Sequence, residues 1–388
     1  MATVSTSDRE LAREQASFVT RPRPWSPIRV WAAVGGVILA FQTYVIVRWV
    51  TGPYFTRVHT GPTPMPHWMQ TVQTVMMIAG FPLAALVLYF FLIRPLRRER
   101  RITTDAKLML VWLLMYFQDP LGNYSGEWYV YNSYLPNLGS WTTSVPGWMP
   151  AAKPGAMSPE PALWIGPSYL YVLFLGTVAG GWLMGRIRAR RPDTKTWKLV
   201  AACWVFMVTL DVVAEGLVFN PIGLWCYVGA NPSLSLNAGH YYQYPLYYGV
   251  IWGSAWTALT CMRFFKDDRG QTFVERGAGG ISGSGGRRAV LSFLALFGGA
   301  STIFFVMFTL PAQWFGMHSS AWPRDVQSRS YLVNGTCGEG TNTACPGPGV
   351  PLTRGNNSIR VGPDGKLYVP PGVKVPEVVP LDRGPKAP

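Results

Sequence analysis

Polar and apolar residues alternate along this chain in long blocks. Apolar runs at about 28–50, 68–93, 106–117, 168–184, 197–219, 244–265 and 289–310 are separated by short basic or Gly/Pro-rich pieces. A helix of roughly 20 apolar residues is long enough to cross the hydrocarbon core of a bilayer. The pattern predicts an all-α fold, a polytopic membrane bundle of about seven transmembrane helices. The third run is the shortest and passes directly into Gln118-Asp119-Pro120-Leu121-Gly122-Asn123-Tyr124. The chain divides into an N-terminal segment (1–27), a membrane domain (28–310) and an irregular Pro/Gly-rich tail (311–388).

Charge gives these helices a direction. The N-terminal segment and the loops at 94–101, 186–198 and 263–288 are rich in Arg and Lys, whereas the loops at 51–67, 119–166 and 220–240 hold only Arg57 and Lys153. Basic loops stay in the cytoplasm, so seven crossings put the N-terminus inside a plasma membrane and the tail outside. No cleavable signal peptide is expected, because about 27 mostly polar residues precede the first apolar run. The net charge of +15 does not indicate nucleic acid, since the basic residues lie between apolar blocks and build no aromatic-interleaved groove. The stretch Gly277 to Gly286 reads as a Gly/Ser linker. Cys203, Cys226 and Cys261 lie in or beside apolar runs and read as buried thiols. Cys337 and Cys345 lie eight positions apart in the tail, on the oxidising side, and are expected to form a disulfide.

Candidate chemistry collects near the outer ends of the helices. Asp211 and Glu215 lie one turn apart inside the fifth apolar run, hence on one face. Ionisable groups within a span usually face a bundle interior or a wet cavity. Asp119, Asn123, Glu127, Trp128 and Tyr131 follow the third run; His240, Tyr241, Tyr242 and Tyr244 precede the sixth. Helices three and five run the same way, so both groups reach one depth. The expected site uses Asp211, Glu215, Asp119, His240 and Glu127 for acid–base work. Asn123, Trp128, Tyr131, Tyr241, Tyr242 and Tyr244 shape an apolar substrate pocket beside them. Read structurally instead, the pair ties helices together, Asp119 ends a helix before Pro120, His240 sits at the interface and the aromatics form a membrane belt. Four scattered histidines supply no metal site, and no nucleotide-binding motif occurs, so no cofactor is expected. The expected partners are a lipophilic small molecule and membrane lipid; no protein partner is named by the sequence.

Three stretches, Trp31-Ala32-Ala33-Val34-Gly35-Gly36-Val37, Thr51-Gly52-Pro53-Tyr54-Phe55 and Gln118 through Tyr124, carry a resemblance. On them the chain resembles the AveC-like spirocyclases, actinobacterial membrane proteins named for the enzyme that forms the avermectin spiroketal and can dehydrate it. The resemblance covers about residues 28 to 310 and leaves the tail beyond Leu310 as an addition. It implies a cyclase or dehydratase of secondary metabolism acting on a hydroxy-ketone, polyketide-like or lipid-like, and carries over no catalytic residues. A different class fits the same residues: a transporter or lipid-binding membrane protein in which Asp211 and Glu215 bind protons or substrate. Carriers often show inverted repeats, and none is visible here.

Overall fold

The computed structural model describes residues 25–148, 159–281, 284–338, 345–346, 360–361 and 367–368. Helix α1, Pro27–Val50, opens on a proline in its first turn, where the missing N–H costs nothing, and carries Arg48 in its last turn. Helix α2, His67–Glu99, is continuous through Pro82 and a π-helical stretch at Tyr89–Ile93. Helix α3, Thr104–Met115, is capped by the Thr103 side chain, which accepts from the Ala106 N–H. It tightens into a 3₁₀ stretch, Tyr116–Asn123. Helices α4, Ala162–Arg190, α5, Thr196–Phe219, and α7, Gly285–Met317, each contain a π-helical segment. Helix α6 is Leu246–Phe264.

Helices α1, α2, α4, α5 and α7 are long and apolar enough to cross a membrane by length and composition. The remaining two are shorter or more polar. At ~1.5 Å per residue the 12 residues of α3 span only about 18 Å, though the following 3₁₀ stretch nearly doubles that length. Helix α1 lies against α7 with almost no separation. A Cβ on Gly35 would sit 2.0 Å from the Leu294 carbonyl oxygen, and one on Gly298 would sit 2.3 Å from that of Trp31. Small residues allow this backbone approach between apolar helices.

The non-helical segments at one end of the bundle form a packed cap. Two short antiparallel ladders pin it: β1, Val130–Tyr131, pairs with β2, Trp225–Cys226, and β3, Ser235–Leu236, pairs with β4, Tyr244–Pro245. The Trp141 indole N–H reaches the Phe117 carbonyl at 3.0 Å, tying the segment after α3 back onto its end. Here the fold departs from the expected boundary at residue 310. Pro311 stands in the first turn of the stretch Leu310–Met317, so the seventh helix continues to Met317. Trp322, Val326, Tyr331, Leu332 and Val333 are then buried against Met65, Met69, Val130, Cys226 and Val228. A disulfide joins Cys337 to Cys345, with Cα atoms 4.9 Å apart, and Cys203, Cys226 and Cys261 are free thiols. The segment Arg360–Val361 pairs with Leu367–Tyr368.

The opposite, basic end is closed by ion pairs. Arg263 holds Asp105 through two bonds of 3.0 and 2.7 Å, and the Lys107 ammonium lies 2.5 Å from the Ser292 hydroxyl and 3.6 Å from Glu275. Val274 and Glu275 are buried just before the expected Gly/Ser linker, and of its described residues Ile281 is buried while most of the rest are exposed. Residues 282–283 of that linker, the N-terminal segment up to 24, Lys153 and most of the tail lie outside the described residues.

Candidate active site

The β1–β2 ladder sets the geometry. Side chains alternate across a strand, and the register places Tyr131 opposite Trp225 and Val130 opposite Cys226. Val130, Cys226 and Val228 face the cap core. Tyr129, Tyr131, Trp225 and Tyr227 share the other face, with ring centroids 5.8 Å apart for Tyr131–Trp225 and 6.4 Å for Tyr129–Tyr227. That aromatic face roofs a cavity of about 260 Å³ between α2, α4, α5, α6 and α7.

Two carboxylates reach the cavity from different helices. Asp119, in the 3₁₀ stretch beyond α3, accepts the Tyr131 hydroxyl at 2.5 Å and the Tyr169 hydroxyl at 3.0 Å. Its backbone carbonyl also accepts the Tyr129 hydroxyl. Glu215, in the π-helical part of α5, accepts the Tyr227 hydroxyl, the Trp225 indole N–H at 3.2 Å and the Tyr248 hydroxyl at 3.5 Å. Both residues line the cavity, with no Lys, Arg or His among its lining residues. Asp211 lies four residues before Glu215 on α5, 2% exposed, and accepts the Tyr244 hydroxyl at 2.6 Å. Gly249 makes room for the arrangement, since a Cβ there would lie 2.5 Å from the Tyr244 hydroxyl oxygen.

The electrostatics outside the long apolar helices follow from burial. Loss of solvent pushes the Asp119 carboxyl up to about 6, against the two tyrosine bonds that favour its charged form. Glu160, in the cap, is fully buried; its Oε2 accepts the Tyr116 hydroxyl at 2.9 Å and its Oε1 has no partner. Burial, then the nearby Asp119 charge, raises Glu160 well above the ordinary carboxylate range. An unpartnered buried carboxylate oxygen is costly, and a proton on Glu160 relieves that cost. Tyr116 stands between the two acids, its ring 5.3 Å from that of Tyr169.

The structure brings together only part of the expected set. Asp119, Glu215 and Tyr131 line the cavity, whereas Asp211 and Tyr244 bond each other outside its lining. Asn123 and Trp128 build the turn that presents the aromatic face: the Asn123 side chain bonds the backbone of Trp128 and Tyr129, and the Trp128 indole bonds the Gly122 carbonyl. Glu127 is buried but does not line the cavity. His240, Tyr241 and Tyr242 also lie outside it. The C-terminal segment draws them to the surface: Asp325 accepts the Tyr241 N–H and lies 4.0 Å from the His240 ring nitrogen. Arg329 lies over the Tyr241 ring, and His240 stacks on Tyr242.

Sequence reasoning missed Tyr129, Tyr169, Trp225, Tyr227, Tyr248 and Glu160. The signal for three of them was present: Trp128-Tyr129-Val130-Tyr131 and Trp225-Cys226-Tyr227-Val228 both place aromatics at strand period. Among the described residues, no group of three His, Cys, Asp or Glu side chains is placed to hold a metal ion.

Comparison with curated proteins and with solved structures finds no match. One family model, described as spirocyclase AveC-like, matches residues 99–332. The match starts beyond α1, so Trp31–Val37 and Thr51–Phe55 fall outside it, and it extends through the packed segment after residue 310. Covering more than half of the chain and both carboxylates of the cavity, that match shows that the chain belongs to the AveC-like spirocyclase family.

Proposed function

We propose that the protein is an integral membrane cyclase of the spirocyclase type, removing water from a lipophilic hydroxy-ketone by acid–base catalysis. One observation carries this reading: Asp119 and Glu215 line one aromatic, cation-free cavity from two different helices. Ketal formation needs an acid, a base and a dry shaped space, and nothing in it is oxidised or reduced.

The chemistry follows from the two protonation states. One substrate hydroxyl attacks the ketone carbon and gives its proton to ionised Asp119. The ketone oxygen takes a proton from Glu215 in its neutral form, and a hemiketal results. Asp119 returns its proton to the hemiketal hydroxyl, which leaves as water. The oxocarbenium ion left behind faces two carboxylates and the aromatic faces of the cavity, all of which stabilise a cation. The second hydroxyl then closes on the same carbon and re-protonates Glu215. A dihydroxy-ketone has become a spiroketal and one water, and the enzyme is restored. Dehydration of an alcohol uses the same groups with a C–H proton in place of the second hydroxyl.

The same reading takes all seven helices as crossings of the plasma membrane. The basic ends and the N-terminus are then cytoplasmic and the cap extracytoplasmic. The 3₁₀ stretch lengthens α3 toward the outer face, where Asp119 stands in the cap.

The test is product formation by the full chain in lipid vesicles supplied with a membrane-soluble dihydroxy-ketone. Wild type yields a product lighter by one water, and Glu215→Gln lowers the rate by roughly 10²-fold or more. Transport of the ketone across the vesicle without chemical change would replace this reading with a carrier.

A further inference from the structure

A second depression lies on the lipid-facing surface beside the cavity. It is bounded by Leu83, Leu86, Phe90 and Arg94 on α2 and by Tyr171 and Leu175 on α4. Leu83 and Tyr171 also line the inner cavity, so the two spaces share a wall. At the cap end α2 and α4 are tied, the Trp164 indole N–H lying 3.3 Å from the Met76 carbonyl. Further along, Phe91 meets Phe174 edge-on at 4.9 Å and forms the floor. Between these contacts the Tyr171 hydroxyl rests over Gly80, where a Cβ would approach it to 2.7 Å. The Tyr171 ring, resting on a backbone that offers no side chain against it, and the Leu83 side chain stand between groove and cavity. Leu83, Leu86 and Phe90 are each about half exposed to the lipid side. Arg94 ends the groove with its guanidinium over the Phe90 ring and no carboxylate partner among the described ion pairs.

We propose that this groove is the lateral entry port of the cavity, taking a long-chain amphiphile with an anionic end from the bilayer past Tyr171. The inference rests on the cavity being the reaction site and adds the substrate's class and path. An apolar chain lies along Leu83, Leu86 and Phe90, while its anionic end stays at the membrane surface on Arg94, where a guanidinium binds carboxylate or phosphate well. The chain end then passes between Gly80 and Leu83 beneath the ring of Tyr171. A phospholipid shares the anionic head and apolar chain, but a cavity of about 260 Å³ does not admit two acyl chains.

The test uses photolabelling, which needs no turnover. A diazirine-bearing long-chain fatty acid, its methyl ester and a diazirine-bearing phosphatidylglycerol are each presented to the full chain in phosphatidylcholine vesicles, and labelled residues are located by mass spectrometry. The acid is expected to label both the groove, at Leu86 or Phe90, and the cavity, at Ile165 or Phe308. The phospholipid is expected to label the groove alone. Leu86→Trp and Leu175→Trp fill the groove without touching the cavity lining and should lower cavity labelling by about tenfold, as when a preformed path is closed. Val75→Trp, on another lipid-facing part of α2, should leave it unchanged. Arg94→Gln should reduce labelling by the acid to the level of the ester. Undiminished cavity labelling in both groove variants would overturn the port, as would cavity labelling by the phospholipid equal to that by the acid. Equal labelling by acid and ester in wild type would overturn the anionic end. Labelled cavity residues in a protein that cyclises no ketone would sink the proposed reaction and leave the port standing.

Discussion

Asp119→Asn separates catalysis from folding, because the carboxyl is costly to the fold. Burial raises it from 3.8 to about 6, so between those values the folded chain holds a proton that the unfolded chain has lost. Where the folded state binds more protons, stability falls as pH rises, and the full loss persists above about pH 6. Some two units at ~1.4 kcal/mol each make about 3 kcal/mol of destabilisation at neutral pH. An asparagine of the same shape removes that cost. It also weakens the bonds from Tyr131 and Tyr169, which lose their charge-assisted character at about 1–2 kcal/mol together. The balance is zero or favourable, so the variant should melt at pH 7.5 no lower than wild type, and up to several degrees higher at ~2–4 °C per kcal/mol. Its melting temperature should also change less between about pH 4 and 6.5. Turnover should fall by roughly 10²- to 10⁴-fold, because the group that accepts the hydroxyl proton no longer titrates. Scanning fluorimetry in detergent and product formation on the same preparation read both quantities. A melting temperature that falls by several degrees together with activity would make Asp119 a structural tie. Full turnover would place the base elsewhere.

Gly249→Ala pushes the Tyr244 hydroxyl away from Asp211 and should cost about 1–3 kcal/mol of stability, read as a lower melting temperature. A melting temperature equal to wild type would show that the two helices can part freely there. For the topology, a cysteine at Leu138 should react with a membrane-impermeant maleimide from outside the cell and one at Gly270 should not. The reverse pattern would invert the orientation. Reduction of the denatured chain should raise its free thiol count from three to five, as the Cys337–Cys345 bond requires. A count of five before reduction would contradict it.

The helices were legible because a long apolar run satisfies its backbone most simply within itself, as a helix, and the basic stretches marked the ends of several. Asp211 and Glu215 were legible for a related reason, since carboxylates that deep need partners. The cap was not. Its order comes from a two-residue ladder and from tryptophan and asparagine side chains bonding to distant backbone. Such contacts leave little periodicity over 119–166 beyond the aromatic alternation at 129–131. His240 looked suited to the site from its position before α6. Asp325 and Arg329, from a segment that read as a loose tail, hold its loop outward instead. Glu160 gave no signal, being a single acid before Pro161; its place beside Tyr116 is a product of tertiary folding alone.

The central claim is that Asp119 and Glu215 act together on one bound ketone. Spiroketals also close without an enzyme in acid, giving the mixture of stereoisomers that solution favours. The decisive measurement is therefore the stereoisomer ratio of spiroketal formed from a lipophilic dihydroxy-ketone by the protein in vesicles at neutral pH. Wild type should give one stereoisomer, well above the protein-free rate. Asp119→Asn with Glu215→Gln, folded by its melting curve, should give only the solution mixture at the protein-free rate. A single stereoisomer formed at full rate by the double variant, or no product above background from wild type, would contradict the account.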